Sequence, residues 1–155
     1  MTEELQEQHR KFGVSLFNQV WELLEKQDRT PEEDDKMLHT AHASRYHWGE
    51  IGQPVNFARG EWQISRVYAV LNRGEPALYH AQKCLTICQQ NNIGDFDLAY
   101  AYEALARASA VAGNQPETNR YLKLAQEAGE QISEDDDQKL FYSDLETIPG
   151  YQKNS

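Results

Sequence analysis

Long apolar runs are missing from this chain. Nothing in its 155 residues approaches the ~18 consecutive apolar positions that a membrane-spanning helix requires. Basic residues are also scarce. Lys and Arg number 15 against 25 Asp and Glu, and a net charge of −10 leaves no concentrated cationic face to neutralise phosphates. Nucleic acid and anionic membranes are therefore not expected as partners. The only two cysteines, Cys84 and Cys88, lie four apart within a helical pattern. They form neither a disulfide framework nor a zinc set, and read as reduced, small apolar core residues. No basic region or apolar signal core follows Met1, so the expected location is cytoplasmic. Alternating β-branched runs are missing too, and with them any sign of a strand. No HExxH motif, glycine-rich phosphate loop or nucleophile motif is present, so no metal, cofactor or catalytic residue is expected.

What the chain has in abundance is helical punctuation. Pro31, Pro54, Pro76 and Pro116 each open a segment of helical periodicity, where a missing N–H costs nothing. Thr30-Pro31-Glu32-Glu33 carries the Thr and Glu of a capping box, and Pro149 follows the last periodic segment. Asp95 and Ser133 read as further N-caps. Seven helices follow, over about 3–28, 31–50, 54–72, 75–91, 95–113, 116–131 and 134–148. The first bears a broad apolar stripe of Phe12, Leu16, Val20 and Leu23, flanked by Phe17, Trp21 and Leu24. Connections are short, so successive helices should pack antiparallel in one all-α domain.

The chain also resembles itself. "ISRVYAVLNR" (64–73) laid over "LARASAVAGN" (105–114) matches Arg66 with Arg107, Ala69 with Ala110 and Val70 with Val111, a shift of 41 residues. The same shift carries Ala77 onto Thr118, Cys84 onto Ala125 and Cys88 onto Gly129, small residues where two helices approach closely. A fainter earlier copy places Trp21 under Trp62, Leu23 under Ile64 and Ala43 under Cys84.

In these features the chain resembles the tetratricopeptide-repeat superfamily. Tyr102, Leu105, Ala106 and Ser109 fill that family's large, apolar, small and Tyr-like slots, with Thr118, Leu122 and Ala125 in the second helix. The preceding copy offers Glu61, Ile64, Ser65, Tyr68, Ala77, Ala81 and Cys84. Glu61 departs from the usual large apolar residue, the period is longer than usual, and the repeat-ending proline is missing. The resemblance implies a right-handed solenoid of about three helix pairs, with repeats over 55–91 and 95–131. The segment 134–148, with Phe141, Leu145 and Ile148 on one face, would be the capping helix of a single domain spanning 1–148. Residues 149–155 would be a flexible tail.

The resemblance further implies that the first helix of each pair lines a concave surface on which a protein or peptide docks. The groove residues would be Arg59, Trp62, Gln63 and Arg66 from one pair and Tyr100, Glu103, Ala104 and Arg107 from the next. Helical geometry alone puts Arg59, Trp62 and Arg66 in one row and Tyr100, Glu103 and Arg107 in another. An Arg fork beside an aromatic platform suits an extended peptide with an acidic residue or free C-terminus, or a small anionic ligand. Two plainer readings stand beside it: Glu103 pairing with Arg107, and arginines bridging adjacent helices. His42, Arg45 and Trp48 would extend the same lining if they face the groove.

The histidine-rich segment raises a second hypothesis, a small-molecule or metal-dependent enzyme centred on His39, His42 and His47. His39 and His42 lie about 60° apart on a helix and can share a metal, but His47 is about 140° from His42. A third ligand such as His80 or Glu50 would be needed. His42 or His47 with Glu50, Glu61 or Arg45 would be the acid–base version. A third hypothesis is self-association through the apolar first helix.

Overall fold

The computed structural model describes residues 1–153, and every regular element among them is a helix. These are α1 (Glu3–Glu25), α2 (Pro31–Ile51), α3 (Pro54–Val70), α4 (Gly74–Gln90), α5 (Asp95–Val111), α6 (Gln115–Gly129) and α7 (Asp135–Leu145). None is long and apolar enough to cross a membrane.

The termini follow from local chemistry. At the start of α2 the Thr30 hydroxyl accepts from the Glu33 amide at 3.2 Å, and the Glu33 carboxylate accepts from the Thr30 amide at 3.1 Å. This is the reciprocal capping box that the sequence predicts. Helix α1 stops three residues short of its expected end because Arg29 turns back, donating from Nη1 to the carbonyls of Leu23 and Lys26. Helices α3 and α5 end alike. Asn72 (φ 60°) and Gly113 (φ 77°), 41 residues apart, both take the left-handed conformation. The amide after each bonds five residues back, Arg73 to Tyr68 and Asn114 to Ser109.

Both further N-caps differ from expectation. Gly94 rather than Asp95 caps α5, and Glu134 rather than Ser133 caps α7. The Ser133 amide instead donates to the carboxylate of Asp95, which also accepts from the Phe96 amide at 2.7 Å. Asp95 thus ties the start of α5 to the approach of α7. Pro76 and Pro116 lie in the first turns of α4 and α6, as the sequence predicts, those helices beginning at Gly74 and Gln115.

Successive helices pack as pairs, α1 with α2, α3 with α4 and α5 with α6. The odd-numbered helices also touch one another: α3 meets α1 and α5, and α5 meets α7. Between the pairs, α3 contacts α2 and α5 contacts α4, whereas α4 and α6 do not approach each other. The cysteines are free and buried, in the cluster that also holds Leu105, Leu122 and Phe141. Phe141, Leu145 and Ile148 are all buried, as the α7 pattern requires. Each such side chain contributes about 1.5–3 kcal/mol on burial. The expected tail begins by returning to the protein: Tyr151 packs on the core, and the Gln152 carbonyl accepts from Gln126 Nε2 at 3.0 Å. Residues 154 and 155 lie outside the described residues.

Candidate functional site

An aromatic row crosses the odd-numbered helices. Trp21 of α1 lies 5.5 Å from Trp62 of α3, centroid to centroid, and Trp62 lies 5.5 Å from Tyr100 of α5. Tyr100 meets Phe141 of α7 at 5.0 Å. These separations fall within the favourable range for aromatic pairs. Trp21 and Trp62, matched by the fainter repeat, are therefore neighbours, with their rings tilted by 34°.

Beside this row lies a buried charge network. Glu103, fully buried, accepts from Trp62 Nε1 at 3.0 Å, Arg66 Nη1 at 3.1 Å and Arg107 Nε at 2.9 Å. The two repeat-equivalent arginines thus converge on one carboxylate. Arg107 continues from Nη2 to the Asp144 carbonyl and the Thr147 hydroxyl, and Tyr100 donates to Asp144 Oδ2 at 2.6 Å. Burial pushes the Tyr100 phenol far above its ordinary range, with the Asp144 bond and charge adding to it. Burial lowers the Arg66 guanidinium from its usual value, only partly offset by Glu103. Arg66 uses a single donor on protein groups, and its side chain remains 18% accessible. Arg59 is over half exposed and forks onto Asp97 at 2.9 and 3.2 Å, a bond that holds its guanidinium above the usual value.

Of the expected groove residues, the structure brings together Trp62, Arg66, Tyr100, Glu103 and Arg107, with Arg59 at the edge. Glu103 and Arg107 do pair, but in the interior rather than on a solvated helix. Gln63 points elsewhere: it is buried, with Nε2 donating to the Phe17 carbonyl of α1 and Oε1 lacking a protein partner.

The histidine-rich helix does not extend this lining. Trp48 packs over Gly13 of α1, where an added Cβ would sit 2.9 Å from the indole nitrogen. Arg45 runs across Gly60 to Glu61 (3.4 Å), its guanidinium over the Phe57 ring. Glu61, the departure from the repeat pattern, is buried and also receives His80 Nδ1 at 3.3 Å. Burial is the largest influence on Glu61 and opposes its charge. The His80 bond and the nearby cations outweigh burial and hold the carboxyl below its usual range. His42 shares a 3.0 Å hydrogen bond with the Tyr68 hydroxyl, and the Tyr68 ring stacks on His80. His47 instead pairs with His9 of α1, Nδ1 to Nδ1 at 2.9 Å, and stacks on Phe12. His39 is exposed and joins neither group. Among the described residues no three His, Cys, Asp or Glu side chains converge as metal ligands.

Sequence reasoning passed over an open cleft, although Arg45, one of the expected site residues, lies with Glu61 in its wall. It measures about 850 Å³ and runs along α4 and α6 over the floor of α5, lined by Tyr79, Lys83, Leu105, Ser109, Asn114 and Tyr121 among others. Ser109 is 1% exposed, and its hydroxyl has no hydrogen-bond partner. The signal was present in the sequence, where a serine occupies the Tyr-like slot of the second repeat. No protein-family model matches this chain, and neither the curated proteins nor the solved structures contain a significant match.

Proposed function

We propose that this chain is a tetratricopeptide-like, right-handed helical solenoid, a cytoplasmic domain that binds a protein or peptide without catalysing a reaction. The odd-numbered helices form its concave face, and the docking edge runs along Arg59, Trp62 and Arg66. One observation carries the reading: Arg66 is a desolvated cation that has spent only one donor on Glu103 and is still reachable from solvent. A carboxylate from a partner, on an acidic side chain or a free C-terminus, would take the remaining fork while Arg59 swings from Asp97. Arg107 and Glu103 hold the floor rather than touch the partner.

The test is a quantitative pull-down from native lysate, wild type against Arg59→Ala/Arg66→Gln. Trp62 and Arg107 still donate to Glu103 in the variant, and unchanged circular dichroism should confirm that its fold is retained. Partners should be depleted at least several-fold in the variant, and an unchanged partner set sinks the reading. A second reading, self-association, draws support from Leu5 (44% exposed) and Phe12 (52% exposed) on α1.

A further inference from the structure

The two best-matched repeats treat one position oppositely. In the first, Tyr68 places its ring among three side chains. His80 stacks on it at 5.7 Å with planes 13° apart, His42 hydrogen-bonds its hydroxyl at 3.0 Å, and Arg73 lies over it at 5.2 Å. A shift of 41 residues converts Tyr68 to Ser109, His80 to Tyr121, His42 to Lys83 and Arg73 to Asn114. All four of these equivalents line the 850 Å³ cleft. The helices themselves obey the shift, since α3 and α5 have the same length and both end at left-handed residues 41 apart. The cleft is therefore the second copy of the Tyr68 cage, with the ring replaced by a buried, unpartnered hydroxyl.

From this we infer that the cleft is a binding site for a phenolic ring supplied from outside the chain. The ring sits where the Tyr68 phenol sits in the preceding repeat, stacked on Tyr121 as Tyr68 stacks on His80. Its oxygen meets Lys83, the counterpart of His42, and its edge covers Leu105 and the Ser109 hydroxyl. Lys83 lies 5.1 Å from the Tyr79 ring centroid and keeps donors free to reach inward. Arg120, which does not line the cleft, lies 4.4 Å from the Tyr121 centroid. Neither Arg59, Trp62 nor Arg66 lines the cleft, so the site stands or falls independently of peptide docking there.

The full chain, isotopically labelled, is titrated with p-cresol, N-acetyltyrosinamide and toluene while backbone amide resonances are followed. Saturable shifts centred on Lys83, Ser109 and Tyr121 are expected with p-cresol, and toluene should bind roughly fivefold more weakly for want of the hydroxyl. Binding of N-acetyltyrosinamide as well assigns the ring to a peptide tyrosine; p-cresol binding without it assigns a free phenol. Ser109→Tyr supplies the missing ring internally and should abolish binding of every probe. Tyr121→Leu is the second variant, expected to weaken p-cresol without filling the cleft. Failure of p-cresol to bind, or undiminished binding in both variants, overturns the inference.

Discussion

Replacing Glu103 with alanine probes the centre of the odd-helix face. Three hydrogen bonds disappear at once, from Trp62 Nε1, Arg66 and Arg107. Removing one member of a buried ion pair costs about 3–5 kcal/mol, because the remaining charge is left uncompensated. The arginine side chains are 18% and 12% accessible, so water recovers part of that cost. The Asp144 carboxylate, which accepts from Tyr100, also lies near enough to Arg66 to supply compensating charge. The lower end of the range, about 3 kcal/mol, is the appropriate expectation. For a chain of this size it lowers the melting temperature by roughly 6–12 °C. Far-ultraviolet circular dichroism during heating, with urea unfolding at fixed temperature, measures the change directly. Glu103→Gln retains one acceptor and should lose less. If Glu103→Ala lost under about 1 kcal/mol, the cost of an ordinary exposed pair, the network would not be the buried anchor described here.

Other consequences follow from the same contacts. His42 is held below the usual histidine value by burial first and by His80 and His39, against the pull of Glu61; His47 is lowered by burial and then by His9. Both therefore favour the neutral form in the fold, and the unfolded chain takes protons first as pH falls below about 6.5. Stability should decline from that point until the folded-state values are passed, and His42→Gln/His47→Gln should flatten the decline in urea titrations at stepped pH. At Gly129 an added Cβ would sit 2.7 Å from the Phe141 ring. Gly129→Val should thus destabilise by about 1–3 kcal/mol, read from the same unfolding curves. If Leu5 and Phe12 drive self-association, sedimentation of the wild type will show mass rising with concentration. Leu5→Ser/Phe12→Ser will then remain at monomer mass.

The helices were legible because their signals are local. Thr30 and Glu33 form the capping box, the α7 stripe buries as patterned, and the faintly matched Trp21 and Trp62 touch; of the α1 stripe only Val20 is buried, and Phe12 lies open to solvent. Side-chain destinations were less so, because they depend on which neighbour arrives. Arg45 and Trp48 lie three apart on one helix, yet Gly13 draws the indole to α1 while Gly60 and Glu61 draw the guanidinium to α3. Periodicity marks a helix face but does not say that Gln63 on that face will be claimed by the Phe17 carbonyl. Asp144, supplied by the final helix, was invisible as the partner of Tyr100 because nothing in the repeat pattern points to it. The cleft at Ser109 was legible only by asking what a serine fails to fill.

The proposed docking edge can be tested most directly at the Trp62 indole N–H, which bonds Glu103. A captured partner segment with a free carboxylate, added to labelled protein, should move that resonance together with the amides of Arg59 and Arg66. Movement confined to Leu5 and Phe12, or to the cleft at Ser109, with the Trp62 resonance unmoved, would contradict peptide docking on the odd-helix face.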